Sequence, residues 1–260
     1  MEYDSFQLVL APDSLKGRRI LITGASSGIG AASAQLMASL GAQLLLIGRN
    51  SERLQEVSQL LNGNSHLAIT CDLSVPDALY ALIKSLPELW FPLSGAFHSA
   101  GIERIKPARL IKTTDLHELM ASSADPAFSL ARAVASKGLF SDGASIVFMS
   151  SVSALCGTPG LSAYAATKGA IEAMSRNLAV ELAPRSIRVN TLVCGAIESP
   201  MHARLTQSLN QDALEDYRSR HPLGFGSAND VAQLAGFLLS DGGRWITGSS
   251  LVIDGGYSAL

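Results

Sequence analysis

The sequence predicts a single α/β domain, a doubly wound parallel sheet of about seven strands with helices on both faces. The first observation is that short apolar runs alternate with longer segments of helical periodicity from residue 18 onward. The second is that these runs contain few polar residues, as strands do when helices cover both faces of a parallel sheet. The third is the length of 260 residues, which is near the upper limit for one hydrophobic core.

Each element follows from its own pattern. The predicted strands are, in order, RRILIT, AQLLLIG, HLAITC, LSGAFH, SIVFMS, IRVNTLV and SLVID. Apolar residues at three- and four-residue spacing predict the helices AASAQLMASLG, SERLQEVSQLL, DALYALIKSL, TDLHELMASSADPAFSLARAVAS, AYAATKGAIEAMSRNLAVEL and NDVAQLAGFLLS. We therefore expect the domain to span residues 17–260, preceded by an N-terminal extension over residues 1–16 that packs on the surface.

The composition excludes several classes of protein. The chain is 47% hydrophobic and 16% charged with 23 glycines, which is typical of a compact core with many tight turns. A net charge of −2 gives no electrostatic basis for a nucleic-acid partner. The three cysteines lack metal-ligand spacing, so we expect buried thiols and no metal site. We find no apolar run of about 18 residues and no signal-peptide pattern, and we expect a cytoplasmic protein without a membrane partner.

One segment interrupts the alternation of strands and helices. Residues from about 199 to 226 are more polar and carry several charges and two histidines. A solvated helical insertion is the structural interpretation of this pattern. In an enzyme of this architecture the insertion would lie beside the carboxyl ends of the strands and act as a lid over a substrate.

The loop TGASSGIG follows the first strand and opens the first helix. Its glycines permit a tight turn, and the helix N-terminus offers free N–H groups to a pyrophosphate, as in Rossmann-type domains. The spacing GxxxGxG is wider than the common dinucleotide fingerprint. The position between a strand and a helix nevertheless predicts a nucleotide site here.

The end of the second strand predicts which nucleotide is bound. Enzymes that use NAD usually place an acidic residue there, whereas this chain has Gly48 followed by Arg49. A guanidinium can pair with a 2′-phosphate, so we predict NADP(H). An ordinary solvated arginine remains the alternative for Arg49. Asp72, which ends the third strand, would either accept a hydrogen bond from adenine or cap the following turn.

Ser151, Tyr164 and Lys168 form a candidate catalytic group. Tyr164 and Lys168 lie four positions apart in YAATK and therefore share a helix face. A cation at about 4 Å contributes on the order of 4 kcal/mol at an effective dielectric near 20. We therefore expect Lys168 to lower the Tyr164 pKa by roughly 3 units, toward neutrality, where proton transfer is efficient. The alternative is an ordinary half-buried tyrosine.

The chain resembles the short-chain dehydrogenase/reductase family, in particular its 3-oxoacyl-(acyl-carrier-protein) reductase-like members. The resemblance extends from Gly17 to Tyr257. It rests on TGASSGIG, CDL before the third helix, SAG after the fourth strand, Ser151 with YAATK, IRVN, and DGG near the C-terminus. These motifs stand in the order and spacing of the family.

The resemblance implies a role for each matching residue. Tyr164 would be the catalytic acid and base, Ser151 would bind the substrate oxygen, and Lys168 would hold the nicotinamide ribose. Ser123 occupies the place of the asparagine that supports a proton relay in the family. The residues expected to contact NADP(H) are Gly24, Ser26, Ser27, Gly28, Ile29, Gly30, Arg49, Asn50, Asp72, Leu73, His98, Ala100, Gly101, Tyr164, Lys168, Gly195, Ile197 and Ser199.

The resemblance also implies an activity and partners. We expect an NADP(H)-dependent oxidoreductase that interconverts a ketone and a secondary alcohol, with a small or acyl-carrier-linked carbonyl substrate and a homotetrameric or homodimeric assembly. A sugar, polyketide or steroid-like substrate is the first alternative, and a non-catalytic NADP(H)-binding scaffold is the second. Arg104, Lys106, Arg109 and Lys112 are candidates for a carrier-protein patch, or for an ordinary solvated face.

The chain departs from the family at several positions. His98 and Ser99 replace two asparagines, Cys194 replaces a proline, and Ser199 replaces a threonine. His98 would be either a proton donor or cofactor contact, or a strand-end histidine bonded to backbone. The Asp125-Pro126 pair predicts a distorted helix over residues 123–127.

Overall fold

The computed structural model describes residues 10–63, 65–207 and 210–259. The strands in these ranges are β1 (Arg19–Thr23), β2 (Gln43–Gly48), β3 (Leu67–Thr70), β4 (Leu93–His98), β5 (Phe140–Ser151), β6 (Arg188–Cys194), β7 (Ile197–Glu198), β8 (Gly226–Ser227) and β9 (Ser250–Ile253). Seven of them form one parallel sheet in the order β3-β2-β1-β4-β5-β6-β9, and β7 pairs with β8. The predicted doubly wound α/β domain is confirmed.

The helices pack on both faces of the sheet. They are α1 (Gly28–Ser39), α2 (Ser51–Gln59), α3 (Ala78–Lys84), α4 (Thr113–Leu119), α5 (Asp125–Ala135), α6 (Ser162–Leu182), α7 (Pro200–Thr206), α8 (Gln211–Ser219) and α9 (Ala228–Leu239). One core cluster joins the sheet to α1, α2 and α9, and the other joins it to α3, α5 and α6. Adjacent β1 residues alternate between the clusters, with Ile20 in the first and Leu21 in the second.

The topology creates a crevice at the carboxyl edge of the sheet. From β1 the chain winds outward through β2 to β3, and then returns to the other side of β1 at β4. The connections leave β1 and β4 in opposite directions, so the loops that follow these two strands diverge. Because the strands are parallel, Thr23, His98, Ser151 and Cys194 all end at this edge.

The glycine loop packs directly against the end of β4. A Cβ on Gly24 would lie 2.9 Å from the Ala100 nitrogen, and a Cβ on Gly30 would lie 2.2 Å from the Gly24 carbonyl oxygen. Neither position has room for a side chain, because backbone atoms surround both. The glycines therefore set how closely α1 approaches the sheet.

The N-terminal extension is only partly within the described residues, since residues 1–9 lie outside them. From Leu10 onward the segment packs against the body of the domain. Leu15 is fully buried in the core, and its N–H donates to the Leu40 carbonyl at 3.0 Å. The expectation that residues up to 16 only cover the surface is wrong for Leu15, because its side chain completes the packing beside α1.

The predicted helix distortion exists, but it begins earlier than expected. Met120–Ala124 forms a π-helical turn between α4 and α5, whereas residues 125–127 are regular α-helix. The prediction is therefore right for residues 123 and 124 and wrong for the next three. Pro126 lacks the N–H that would bond the Ser122 carbonyl, but its fixed φ suits the first turn of a helix. The irregular hydrogen bonding consequently falls before the proline.

The insertion at residues 199–226 contains α7 and α8 and lies between β7 and β8. It is helical, as the sequence predicted. No helix among the described residues is both long and apolar enough to cross a membrane.

We predict opposite effects for two glycine-to-alanine substitutions in helices. Gly30→Ala should lower the free energy of unfolding by about 1–3 kcal/mol, because the new methyl group meets backbone that cannot yield. Gly169→Ala should raise it by about 0.5–1 kcal/mol, because nothing lies within 4 Å of a Cβ there and alanine favours the helix. Denaturant unfolding measures both changes. Equal changes in the two variants would contradict the close approach at Gly30.

Candidate active site

A cleft of about 690 Å³ opens at the carboxyl edge of the sheet. Its walls come from the first turn of α1, the ends of the central strands, the start of α6, and the α7–α8 insertion. The predicted site residues that line it are Gly24, Ser26, Ser27, Gly28, Ile29, Gly30, Arg49, Asn50, Leu73, Ala100, Gly101, Ser151, Tyr164, Lys168, Gly195, Ile197 and Ser199. Asp72, His98 and Ser123 do not line it.

The N-terminus of α1 is suited to bind an anion. Ser27 is the N-cap, but its side chain makes no capping hydrogen bond, and the first turn contains no acidic residue. The first N–H groups of α1 therefore have no side-chain partner and face the cleft at the positive end of the helix dipole. This geometry, together with the close glycine packing, fits the pyrophosphate of a dinucleotide.

The rim beyond β2 carries two cations. Arg49 and Arg53 both line the cleft and are exposed, and neither forms an ion pair with another described residue. Asn50 has a structural role as well, because its side chain accepts a hydrogen bond from the Arg53 N–H at 2.8 Å and caps α2. Arg53 was not predicted from the sequence, because Arg49 precedes the N-cap of α2 and the two arginines therefore do not share a helical turn.

Asp72 caps a turn. Its carboxylate accepts hydrogen bonds from the Ser74 hydroxyl at 2.7 Å and the Ser74 N–H at 3.0 Å. The Ser74 hydroxyl, more than its N–H, lowers the pKa of Asp72. Of the two alternatives for this residue, the structure favours the turn cap over the adenine contact, since Cys71, Leu73 and Ser74 line the cleft and Asp72 does not.

The structure brings Ser151, Tyr164 and Lys168 together. Ser151 ends β5, and the other two side chains project from α6 toward it. The Lys168 ammonium lies 5.5 Å from the centre of the Tyr164 ring and donates to the Met149 carbonyl at 3.3 Å. Both residues are buried. A phenol, a hydroxyl and an ammonium thus share one water-poor end of the cleft.

The expected pKa shift of Tyr164 is wrong for this structure. Burial raises the pKa of Tyr164 above its ordinary value, and the Glu103 carboxylate raises it further, while a hydrogen bond from the Ser151 hydroxyl lowers it. Lys168 is not among the groups that shift this pKa, and its ammonium donates to the Met149 carbonyl. Burial also lowers the pKa of Lys168 to about 8.

His98 is a structural residue behind the cleft. It is fully buried, with Nδ1 2.8 Å from the Thr23 hydroxyl and Nε2 3.2 Å from the Ser123 carbonyl oxygen. Burial lowers the pKa of His98 to about 4, so it is neutral at physiological pH. The expectation of a cofactor contact is wrong for this side chain, and the backbone-bonded alternative is confirmed.

Ser123 lies just behind the wall of the cleft, and Ser122 lines it instead. The Ser123 hydroxyl is buried and has no hydrogen-bond partner among the described residues. A Cβ on Gly101 would lie 2.9 Å from this hydroxyl and 3.5 Å from the Lys168 nitrogen. Both polar atoms therefore border the small space left by the missing side chain of Gly101.

The proposed basic patch is largely neutralised by the protein itself. Arg104 pairs with Asp115 at 2.7 Å and with Glu118 at 2.8 Å, and Lys106 pairs with Asp115 at 2.7 Å. The hydrogen bond from Lys106 lowers the pKa of Asp115 to about 2, together with the Lys112 N–H and Arg104. These pairs favour the interpretation as an ordinary solvated face.

The tertiary structure adds residues that the sequence analysis missed. Glu103 lines the cleft two residues after the SAG motif, and this position was the only signal for it. The insertion contributes Met201, His202, Arg204 and Tyr217. No group of three or more His, Cys, Asp and Glu side chains suited to a metal ion occurs within the described ranges.

Comparison with known proteins agrees with the geometry. Residues 24–258 match a family model described as enoyl-(acyl carrier protein) reductase. The chain is 33% identical to 3-oxoacyl-(acyl-carrier-protein) reductase of Rickettsia felis, covering 93% of this chain and 97% of the relative. It is 31% identical to an NADP-dependent (R)-specific alcohol dehydrogenase of Lentilactobacillus kefiri, with 95% and 99% covered.

Solved structures show the same architecture. A putative short-chain alcohol dehydrogenase from Sinorhizobium meliloti superposes with a TM-score of 0.87 at 29% identity, covering 96% of this chain and 99% of that one. A short-chain dehydrogenase/reductase variant from Serratia marcescens gives the same TM-score at 26% identity, with 94% and 99% covered. The fold, the cleft and these similarities agree, and the chain belongs to the short-chain dehydrogenase/reductase family of oxidoreductases.

Proposed function

We propose that this protein is an NADP(H)-dependent oxidoreductase that interconverts a ketone and a secondary alcohol by hydride transfer. The main support is that Ser151, Tyr164 and Lys168 lie together at one end of the cleft. The other end has a helix N-terminus without a side-chain cap and two arginines. The family model's description names an enoyl reductase, whereas the full-length relatives are named as 3-oxoacyl reductases and an alcohol dehydrogenase. We follow the full-length relatives.

The residues that would hold the cofactor are distributed along the cleft. The N-terminus of α1 would bind the pyrophosphate, and Arg49 with Arg53 would bind the 2′-phosphate. Lys168 and the backbone near Gly101 and Ile197 would hold the nicotinamide end. When bound, the cofactor supplies the hydride for reduction or accepts it in oxidation.

The chain's own residues would manage the substrate oxygen and its proton. The Ser151 hydroxyl orients the oxygen, and the Tyr164 hydroxyl gives it a proton during reduction or takes one during oxidation. Burial of Tyr164 excludes competing water. Lys168, as a cation beside the phenol ring, stabilises negative charge that develops there. We also propose a proton relay. After Tyr164 has given its proton to the substrate, Lys168 and the Ser123 hydroxyl, which both border the space beside Gly101, would pass a replacement proton to Tyr164.

A 3-oxoacyl thioester on a carrier protein is the first substrate class we propose, because of the named relatives. A sugar, polyketide or steroid-like alcohol is the alternative. The internal ion pairs of Arg104 and Lys106 weaken the case for a carrier-protein patch and leave Arg109 and Lys112 as its remaining cations. The presence of Ser151, Tyr164 and Lys168 argues against a non-catalytic scaffold. Only the serine at position 123, where the family has an asparagine, supports it.

We also propose a homotetramer, or a homodimer, in the cytoplasm, with residues 17–260 as the catalytic domain. The exposed apolar side chains Phe128, Val180 and Trp245 are suited to contacts between subunits. The α7–α8 insertion would act as a lid, because it forms part of the cleft wall.

Removal of the Tyr164 hydroxyl should abolish turnover but spare cofactor binding. We expect Tyr164→Phe to lower kcat for ketone reduction by about a hundredfold or more, since the proton donor is lost. NADPH oxidation with a panel of ketones and NADPH fluorescence titration measure the two properties. Tyr80→Phe, a tyrosine outside the cleft, is the control. Full activity of Tyr164→Phe would show that Tyr164 is not the proton donor. No wild-type activity on any ketone despite NADPH binding would favour the scaffold.

Arg49 should determine the preference for NADPH over NADH. We expect Arg49→Gln to raise the KM for NADPH about tenfold and to leave the KM for NADH unchanged, because only NADPH carries the 2′-phosphate. Arg53→Gln should add to the effect. Steady-state kinetics with both cofactors measure it, with exposed Arg176→Gln as control. A parallel rise for NADH would mean that Arg49 does not contact the phosphate.

Lys168 should make cofactor binding depend on pH. Its pKa of about 8 means that the ammonium is present below that pH and lost above it. Loss of the cation weakens NADPH binding. The Kd for NADPH should therefore rise about fivefold from about pH 7 to about pH 9. Lys168→Arg should remove this inflection because a guanidinium does not titrate there. An unchanged inflection in that variant would assign it to another group.

A further inference from the structure

Glu103 is a charged group in the cleft that the catalytic scheme does not use. It follows β4 by five residues and lines the cleft with a half-buried side chain. Its carboxylate makes no hydrogen bond or ion pair with another described residue, in contrast to the neighbouring Arg104, which forms two ion pairs. A partly desolvated carboxylate without a partner has an unfavourable free energy that a bound donor would relieve.

Glu103 lines the same cleft as Tyr164, Lys168 and Tyr217, and it acts electrostatically on these side chains. Glu103 raises the pKa of Tyr164 in addition to burial, and it makes the same kind of contribution at Tyr217 on α8, whose pKa burial raises to about 12. The Glu103 pKa is itself raised by burial, while Lys168 and Arg204 act in the opposite direction. The cleft lining thus brings Glu103 together with Tyr164 and with Tyr217 of the insertion.

The surrounding side chains do not neutralise Glu103. Arg204 on α7 is exposed and forms no ion pair with it, so water screens the attraction between them. The Lys168 ammonium bonds the Met149 carbonyl instead. Tyr217 and His202 add a phenol and an imidazole to the same wall. This end of the cleft is polar, and Glu103 is the only carboxylate among the described residues that line the cleft.

We propose that Glu103 is a specificity-determining residue that selects substrates with a hydroxyl or ammonium group beside the reacting carbon, and rejects those with a carboxylate there. The inference rests on the proposed function and, within it, favours hydroxy ketones, polyols or amino alcohols over the 3-oxoacyl thioester, which has no such donor. A donor on the substrate forms a charge-assisted hydrogen bond with Glu103. The same bond weakens the repulsion between Glu103 and a developing Tyr164 phenolate, which favours proton transfer.

Three matched substrates test the proposal. They are butan-2-one as the plain ketone, 1-hydroxybutan-2-one as the hydroxy ketone, and 2-oxobutanoate as the keto acid. The wild type should prefer the hydroxy ketone over the plain ketone in kcat/KM by about tenfold or more, and should reduce the keto acid least. Glu103→Gln keeps the shape and removes the charge. It should bring the hydroxy ketone and plain ketone within about threefold and raise activity on the keto acid.

A pH profile gives a second readout. Because Glu103 raises the pKa of both Tyr164 and Lys168, Glu103→Gln should shift the basic limb of kcat/KM for the plain ketone to lower pH. Glu181→Gln, the same substitution at an exposed site outside the cleft, should change neither the selectivity nor the profile. Arg204→Gln should leave the hydroxy-ketone preference in place.

Three results would overturn the inference. The first is an unchanged selectivity in Glu103→Gln, which would leave the proposed function intact. The second is an equal loss of selectivity in Arg204→Gln, which would make the insertion, not the substrate, the partner of Glu103. The third is a wild type that does not reduce the hydroxy ketone. The proposed function is then judged separately, by the ketone panel with Tyr164→Phe.

Discussion

The parallel order of the central strands is the constraint that places every group of the site. Parallel strands end at one edge, so residues far apart in sequence, such as Thr23, His98 and Ser151, come together there. The reversal of winding between β1 and β4 opens a cleft at that edge, and Gly24 and Gly30 let α1 approach it closely. Without this arrangement, an anion-binding helix end and a buried tyrosine would not share one cavity.

Burial has opposite consequences for Tyr164 and Lys168, the two titrating members of the proposed catalytic group. The same low-dielectric surroundings make the Tyr164 phenolate less favourable and make the Lys168 ammonium easier to deprotonate. The protein thus buries a phenol and an amine, and the charged form of each needs a nearby partner. Glu103 increases this need at Tyr164. In the proposed scheme, this effect connects the identity of the substrate to the ease of proton transfer.

The departures from the family pattern are linked to one another in space. His98 stands where the family has an asparagine, and its ring joins the Thr23 hydroxyl to the carbonyl of Ser123, which replaces another asparagine. Ser123 lies in the π-helical turn that precedes Pro126. The altered strand end, the altered relay position and the irregular helix therefore form one connected structure behind the cleft, with the Ser123 hydroxyl directed to the space beside Gly101.

The sequence by itself determined the α/β class, the glycine loop and the grouping of Tyr164 with Lys168, because these follow from local periodicity and short spacings. It also predicted helix distortion from Pro126 but placed it a few residues late, since a proline's effect falls on the preceding turn. Only the tertiary structure decided the position of Glu103 in the cleft, the burial of His98, the turn-cap role of Asp72 and the direction of the Tyr164 pKa shift. For Glu103, His98 and Tyr164, burial and partners distant in sequence set these properties, and no local pattern records them. Asp72 differs, because its partner Ser74 is two residues away and the structure only decided between two roles that the sequence left open.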